Sequence, residues 1–180
     1  VLLSVILYIA VFFSAGCAKA PPPRRALPDF SLTAVTVDGA SPLDRRALAG
    51  RVWVVDFESA TCGDPCPALR ASMRSLQRRL PKSIGLLSFT VDPDHDSPEV
   101  LTEYARRSGA DPQRWLFVTG DGPALVKLLR DGFGLPVAAG PALAPAAKLV
   151  LLDSDARIRG EYGAGDAAAV DRLAADAAAL

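Results

Sequence analysis

Val52-Trp53-Val54-Val55-Asp56-Phe57-Glu58-Ser59-Ala60-Thr61-Cys62-Gly63-Asp64-Pro65-Cys66-Pro67 is the stretch whose reading decides the fold. Val52 to Phe57 is a nearly continuous β-branched and aromatic run, as a strand buried on both faces of a parallel-type sheet requires. Pro67 stands where a helix can begin, and Leu69, Met73, Leu76 and Leu80 recur at spacings that put them on one helical face. Pro81 stops that helix. Two cysteines four positions apart thus fall where a buried strand hands over to a helix N-terminus.

Outward from this junction, strand and helix take turns. The pattern predicts a strand from Ile84 to Val91, a helix from Pro98 to Ser108, a strand around Leu116 to Thr119 and a helix from Pro123 to Arg130. Leu149–Leu152, a turn at Asp153-Ser154-Asp155 and Arg157–Tyr162 read as a hairpin, and an Ala-rich helix N-capped by Asp166 closes the chain. Upstream, Pro28-Asp29-Phe30-Ser31-Leu32, a turn at Asp38-Gly39 and a segment ending in Ala49-Gly50 predict a small hairpin and one helical turn. The sum is an α/β domain with a central mixed sheet and helices on both faces, an arrangement that resembles thioredoxin-like domains.

The chain has 180 residues, half of them hydrophobic, and its 20 basic and 20 acidic side chains cancel. That composition supports a buried core and excludes disorder as the default. No dense Lys/Arg block offers a phosphate-backbone footprint, so nucleic acid is not an expected partner. Residues 1–16 form an apolar stretch too short for a confident membrane span and suited to a signal-peptide core. Ser14, Ala15 and Gly16 before Cys17 resemble a bacterial lipobox, in which the cysteine is lipidated and becomes the mature N-terminus. An uncleaved signal anchor is the alternative, and either one exports the domain and holds it at a bacterial membrane, facing the periplasm or extracytoplasmic space. The Pro-rich residues 18–28 then read as an extended linker, leaving 29–180 as the folded domain.

The chemistry is concentrated in Cys62 and Cys66. Free N–H groups and the positive end of the helix dipole favour thiolates at that position. Two thiolates on one turn can face a single soft ion such as Cu(I), or close into a disulfide. A purely structural disulfide is the plainer alternative, but so short a loop constrains the unfolded chain little.

Cys62-Gly-Asp-Pro-Cys66-Pro67 resembles the Cys-Pro-x-x-Cys-Pro motif of the SCO/SenC family. Phe89 to Leu101, containing Asp92-Pro93-Asp94-His95-Asp96-Ser97-Pro98, is similar to that family's second-strand exit, and Trp115 to Gly120 to its Trp-x-Phe-Leu-Thr-Gly segment. The resemblance covers the chain from residue 28 onward. It implies a thioredoxin-like fold and work on the copper centre of cytochrome c oxidase, by delivering copper or by reducing the target's cysteines. It also implies copper bound by Cys62, Cys66 and a histidine shortly before the last hairpin. Here the matching stretch, Gly140 to Leu149, contains no histidine, and Gly63 replaces the first proline of the motif. Copper affinity is therefore expected to fall.

The one histidine, His95, follows the second strand, and loops after neighbouring parallel strands share an edge, so it is a candidate third ligand as well as a plain solvated side chain. Asp92 and Asp96 read as turn and helix-capping residues, or as groups tuning thiol acidity. Met73, Trp53 and Trp115 read as core, and Pro145 as a candidate cis-proline beside the thiols. Expected partners are the copper-site subunit of cytochrome c oxidase or another exported thiol protein. A thiol-disulfide oxidoreductase acting without copper is the main alternative. Pro28-Asp29-Phe30 with Ser59-x-x-Cys62 gives a fainter resemblance to thiol peroxidases, and a member that only docks partners is a further alternative.

Overall fold

The computed structural model describes residues 20–63, 66–136 and 147–180. Cys17 and Pro145, and with them the lipidation and cis-proline expectations, lie outside the described residues. Seven strands form one sheet: β1 Ser31–Thr36, β2 Gly39–Asp44, β3 Trp53–Glu58, β4 Gly85–Thr90, β5 Trp115–Thr119, β6 Lys148–Leu152 and β7 Ile158–Gly163. Their order across the sheet is β2-β1-β5-β4-β3-β6-β7. β3, β4 and β5 run parallel, while β1 joins β5 and β6 joins β3 antiparallel, which makes the sheet mixed, as the sequence pattern predicts.

Every residue of β3 and β4 is buried, which is why these segments read as unbroken apolar runs. Helices α1 Cys66–Arg79, α2 Pro98–Ser108 and α4 Ala167–Ala178 cover one face. Their residues Leu69, Met73, Tyr104 and Leu173 pack there with Val54 and Trp115. The short helix α3 Gly122–Lys127 and the π-turn Leu128–Gly132 after it cover the other, where Phe57 meets Phe133 edge to face with ring centres 5.0 Å apart. Both tryptophans are core with satisfied indoles: Trp53 Nε1 donates to the Leu48 carbonyl and Trp115 Nε1 to Ser88 Oγ, each at 2.9 Å. A Cβ on Gly85 would fall 2.2 Å from the Trp53 ring, so glycine is what lets that ring lie against β4.

Two local expectations change. Helix α2 is capped by Ser97, whose Oγ accepts the Val100 N–H, with Pro98 next, and Asp96 is turned inward instead of capping. The described part of the Pro-rich segment, residues 20–28, is docked rather than free: Ala26 bridges Arg157, the Arg24 N–H donates to the Ile158 carbonyl at 2.8 Å, and Leu27 is buried. Arg159 Nε holds the Pro21 carbonyl at 2.6 Å. The spacer therefore joins the sheet edge before residue 28.

Candidate dithiol site

Parallel β3, β4 and β5 bring their C-terminal ends, and the loops that follow, to one sheet edge. Cys62 lies in the loop leaving β3 and Cys66 opens α1; the two form a disulfide with Cα atoms 5.9 Å apart. Cys66 is fully buried and Cys62 partly exposed, so the centre presents one sulfur to a partner. The loop is held from within: the Cys62 N–H donates to the Ser59 carbonyl at 3.3 Å and the Cys66 N–H to the Gly63 carbonyl at 3.0 Å.

Asp96, fully buried, accepts the Ala60 N–H on both carboxylate oxygens at 3.2 Å and the Thr90 hydroxyl on Oδ2. Burial pushes its carboxyl above the ordinary aspartate range. The neighbouring His95 is exposed, and its Nδ1 lies 2.8 and 3.0 Å from the two Asp92 oxygens. That bond, then the Asp92 charge, raises the imidazole's pKa. With Nδ1 donating to Asp92, Nε2 is the nitrogen left for a ligand, the pattern seen in metal-binding histidines, although a raised pKa means a metal must displace a proton. Asp92 also closes the turn, its carbonyl accepting the N–H groups of His95 and Asp96.

Beneath α1 lie two acids that the sequence reading passed over. Asp56 and Glu58 sit two apart on β3, hence on one face, and are 0% and 2% exposed. Glu58 Oε2 accepts the Tyr104 hydroxyl at 2.8 Å, and Arg70 Nε donates to the same Tyr104 oxygen at 2.8 Å. Both Asp56 oxygens and Glu58 Oε1 find no hydrogen-bond partner among the described residues. Burial, then the neighbouring Glu58 charge, pushes Asp56 well up; burial first of all pushes Glu58 up to about 7. The signal was present as two acids inside an otherwise apolar strand.

For copper arriving as cargo, the chain offers two sulfurs and the His95 imidazole at this edge, and residues 133–147 contain no ligating side chain. Among the described residues no three His, Cys, Asp or Glu side chains converge as a metal cage. Two reduced sulfurs suit a soft ion. The donor set fits Cu(I) through the dithiol, with His95 tied to Asp92 instead of the sulfurs.

A mixed thioredoxin-like sheet with a cysteine pair at the β3 exit defines a thioredoxin-fold dithiol protein. The SCO1/SenC family model matches residues 19–179, and the chain belongs to that family. A SCO1 protein homolog of Bacillus subtilis is 35% identical over 77 residues, which cover 41% of this chain and only 40% of that relative. The chain superimposes on a SCO1/SenC family lipoprotein from Bacillus anthracis with a TM-score of 0.73 at 26% identity, over 85% of this chain and 93% of that one. BsSco, a member of the Sco family of cytochrome c oxidase assembly proteins in which a disulfide switch was identified, gives 0.75 at 23% identity, over 89% and 97%. ScoI of Bradyrhizobium japonicum, solved with copper bound, gives 0.66 at 21% identity, over 84% and 97%.

Proposed function

We propose that this chain is an exported, membrane-tethered Sco protein that handles copper for cytochrome c oxidase assembly through Cys62 and Cys66. The observation that carries this reading is the cysteine pair at the β3 exit in a chain of the SCO1/SenC family. In the reduced protein the two thiolates hold Cu(I), and His95 is the one imidazole available to complete the set. The partner is the copper-site subunit of the oxidase. The apolar residues 1–16 and Cys17 supply the tether, by lipidation or as a signal anchor, and place the domain on the extracytoplasmic side of a bacterial membrane. A lipoprotein among the structural relatives supports this placement, and no described helix is long and apolar enough to cross a membrane.

A second reading is thiol-disulfide exchange with an exported thiol protein, without copper. The formed disulfide and the lack of a histidine in 133–147 favour it. An anaerobic Cu(I) competition titration of the reduced full-length chain in detergent micelles separates the two, run beside His95→Ala and a Cys62→Ser/Cys66→Ser double variant. Tight one-to-one binding that is lost with the cysteines supports copper handling, and a further loss in His95→Ala names the third ligand. Weak binding in all three leaves thiol exchange as the function.

A further inference from the structure

The 20 basic and 20 acidic side chains cancel in number but not in place. Residues 24–27 lie antiparallel to the start of β7, the free edge of the sheet, and bring Arg24 and Arg25 there, both exposed. Arg24, Arg25 and Lys148 line one cleft at this edge. Arg45, Arg46 and Arg157 line the next, round the corner where the chain enters β3. The Ala26–Arg157 bridge joins the two, so six cations stand in one strip, with only Glu161 and Asp155 as acids in the same linings.

Most acids near the strip already hold a cation. Glu161 pairs with Lys148 at 3.1 Å, Asp29 with Arg45 at 2.8 Å and Asp153 with Arg159 at 3.2 Å. Among the described residues no carboxylate pairs with Arg24, Arg25, Arg46 or Arg157, and all four are exposed. Four guanidinium groups are thus left for an outside partner, and guanidinium matches phosphate oxygens in geometry as well as charge.

The length of chain ahead of the strip decides which partner lies within reach. Arg159 holds the Pro21 carbonyl, and Cys17 stands four positions earlier. Four residues span at most about 14 Å. Whether lipidated Cys17 or the apolar residues 1–16 form the tether, this edge therefore stays close to the lipid headgroups. A negative lipid surface attracts basic groups over about one Debye length, roughly 8 Å in physiological salt. So short a tether keeps the strip at high local concentration beside that surface.

We propose that Arg24, Arg25, Arg46 and Arg157 form a docking surface for the anionic phospholipid headgroups of the membrane that holds the chain. Docking turns a loose tether into a fixed orientation. The corner of the strip lies where β3 begins, and β3 runs six residues, about 20 Å, before the cysteine loop. The dithiol edge is thereby held off the lipid and open to a partner. The inference rests on the reading that the chain is membrane-tethered.

The test is arginine footprinting with phenylglyoxal, read residue by residue by mass spectrometry. The full-length chain is inserted from detergent into preformed vesicles, one set of phosphatidylcholine alone and one with about a third phosphatidylglycerol. Flotation first establishes that the chain is on the vesicles. On the anionic set Arg24, Arg25, Arg46 and Arg157 are expected to label about fivefold more slowly than on the neutral set, and about 0.5 M salt should restore the rates. Arg106 and Arg107 are exposed on α2, which packs over β1 and β2 at the far edge of the sheet, and should label alike on both sets. Arg24→Gln/Arg25→Gln keeps the backbone bonds of the segment and should return Arg46 and Arg157 toward their neutral-vesicle rates. Slowing that salt does not reverse, or that extends to Arg106 and Arg107, overturns the proposal. Equal rates on both sets overturn it too, and leave the strip to an acidic protein. A chain that floats with neither vesicle overturns the tether reading, and the docking with it.

Discussion

Asp96 reaches across the sheet edge to Ala60, both carboxylate oxygens lying 3.2 Å from the Ala60 nitrogen. Thr90, the last residue of β4, donates its hydroxyl to the same carboxylate. Thr119, the last residue of β5, donates to the Asp96 carbonyl at 2.9 Å. One buried residue thus ties the exits of three parallel strands together and sets the path of the cysteine loop.

Asp96→Ala leaves the Ala60 N–H and the Thr90 hydroxyl without their acceptor. A loss of about 1–3 kcal/mol is expected, read as a lower denaturant midpoint at unchanged slope. Because the loop is freed, the reduced Cys62 and Cys66 should differ less in alkylation rate than in the wild type. Asp96→Asn retains an acceptor and should lose less.

Stability should fall as pH rises from 5 to 8 with the disulfide intact. The folded-state pKa of Glu58, about 7, lies above its ordinary value of 4.5, so between those values the folded chain holds a proton that the unfolded chain has released. The stabilisation is complete below the lower value and lost as pH climbs through the higher one. For so buried a group it reaches at most roughly 3 kcal/mol. Asp56, shifted in the same direction, adds to the same slope. Urea midpoints at pH 5 and pH 8 check this, and Glu58→Gln should flatten the difference.

Gly85→Ala places a methyl 2.2 Å from Trp53 ring carbons inside a strand that is buried throughout. The ring has no free path outward, since its Nε1 is bound to the Leu48 carbonyl. A destabilisation of about 1–3 kcal/mol is expected, with a changed near-ultraviolet signal from Trp53.

A chain that begins at Pro28 should be less stable than one that begins at Ala20. The shorter chain loses the Arg24 and Leu27 hydrogen bonds to 156–158 and the buried Leu27 side chain. Comparing the two thermal midpoints, with Leu27→Ala in the longer chain, separates the apolar contribution from the hydrogen bonds. Equal midpoints would mean that the docked segment adds nothing.

The order of elements, the mixed sheet and the cysteine pair at the β3 exit were legible in the chain itself. Each rests on a local cause: alternating apolar periods, Pro67 and Pro98 beside helix starts, Asp166 as a cap, and two cysteines one turn apart. What a residue does when its partners are distant in sequence was not legible. Asp96 reads as a cap beside Pro98, yet it binds Ala60, 36 positions earlier, because parallel pairing brings the two loops together. Glu58 reads as the polar end of a strand, and only the placing of α2 over β1 and β5 brings it the Tyr104 hydroxyl in a buried setting. The Pro-rich segment reads as a free spacer, and only the open edge at Arg157–Ile158 gives its N–H groups acceptors. Local sequence determined which elements form and where the reactive sulfurs stand. The tertiary fold alone decided which sulfur is buried and which acids are shut away from water, because burial and electrostatics depend on neighbours that the chain order does not place side by side.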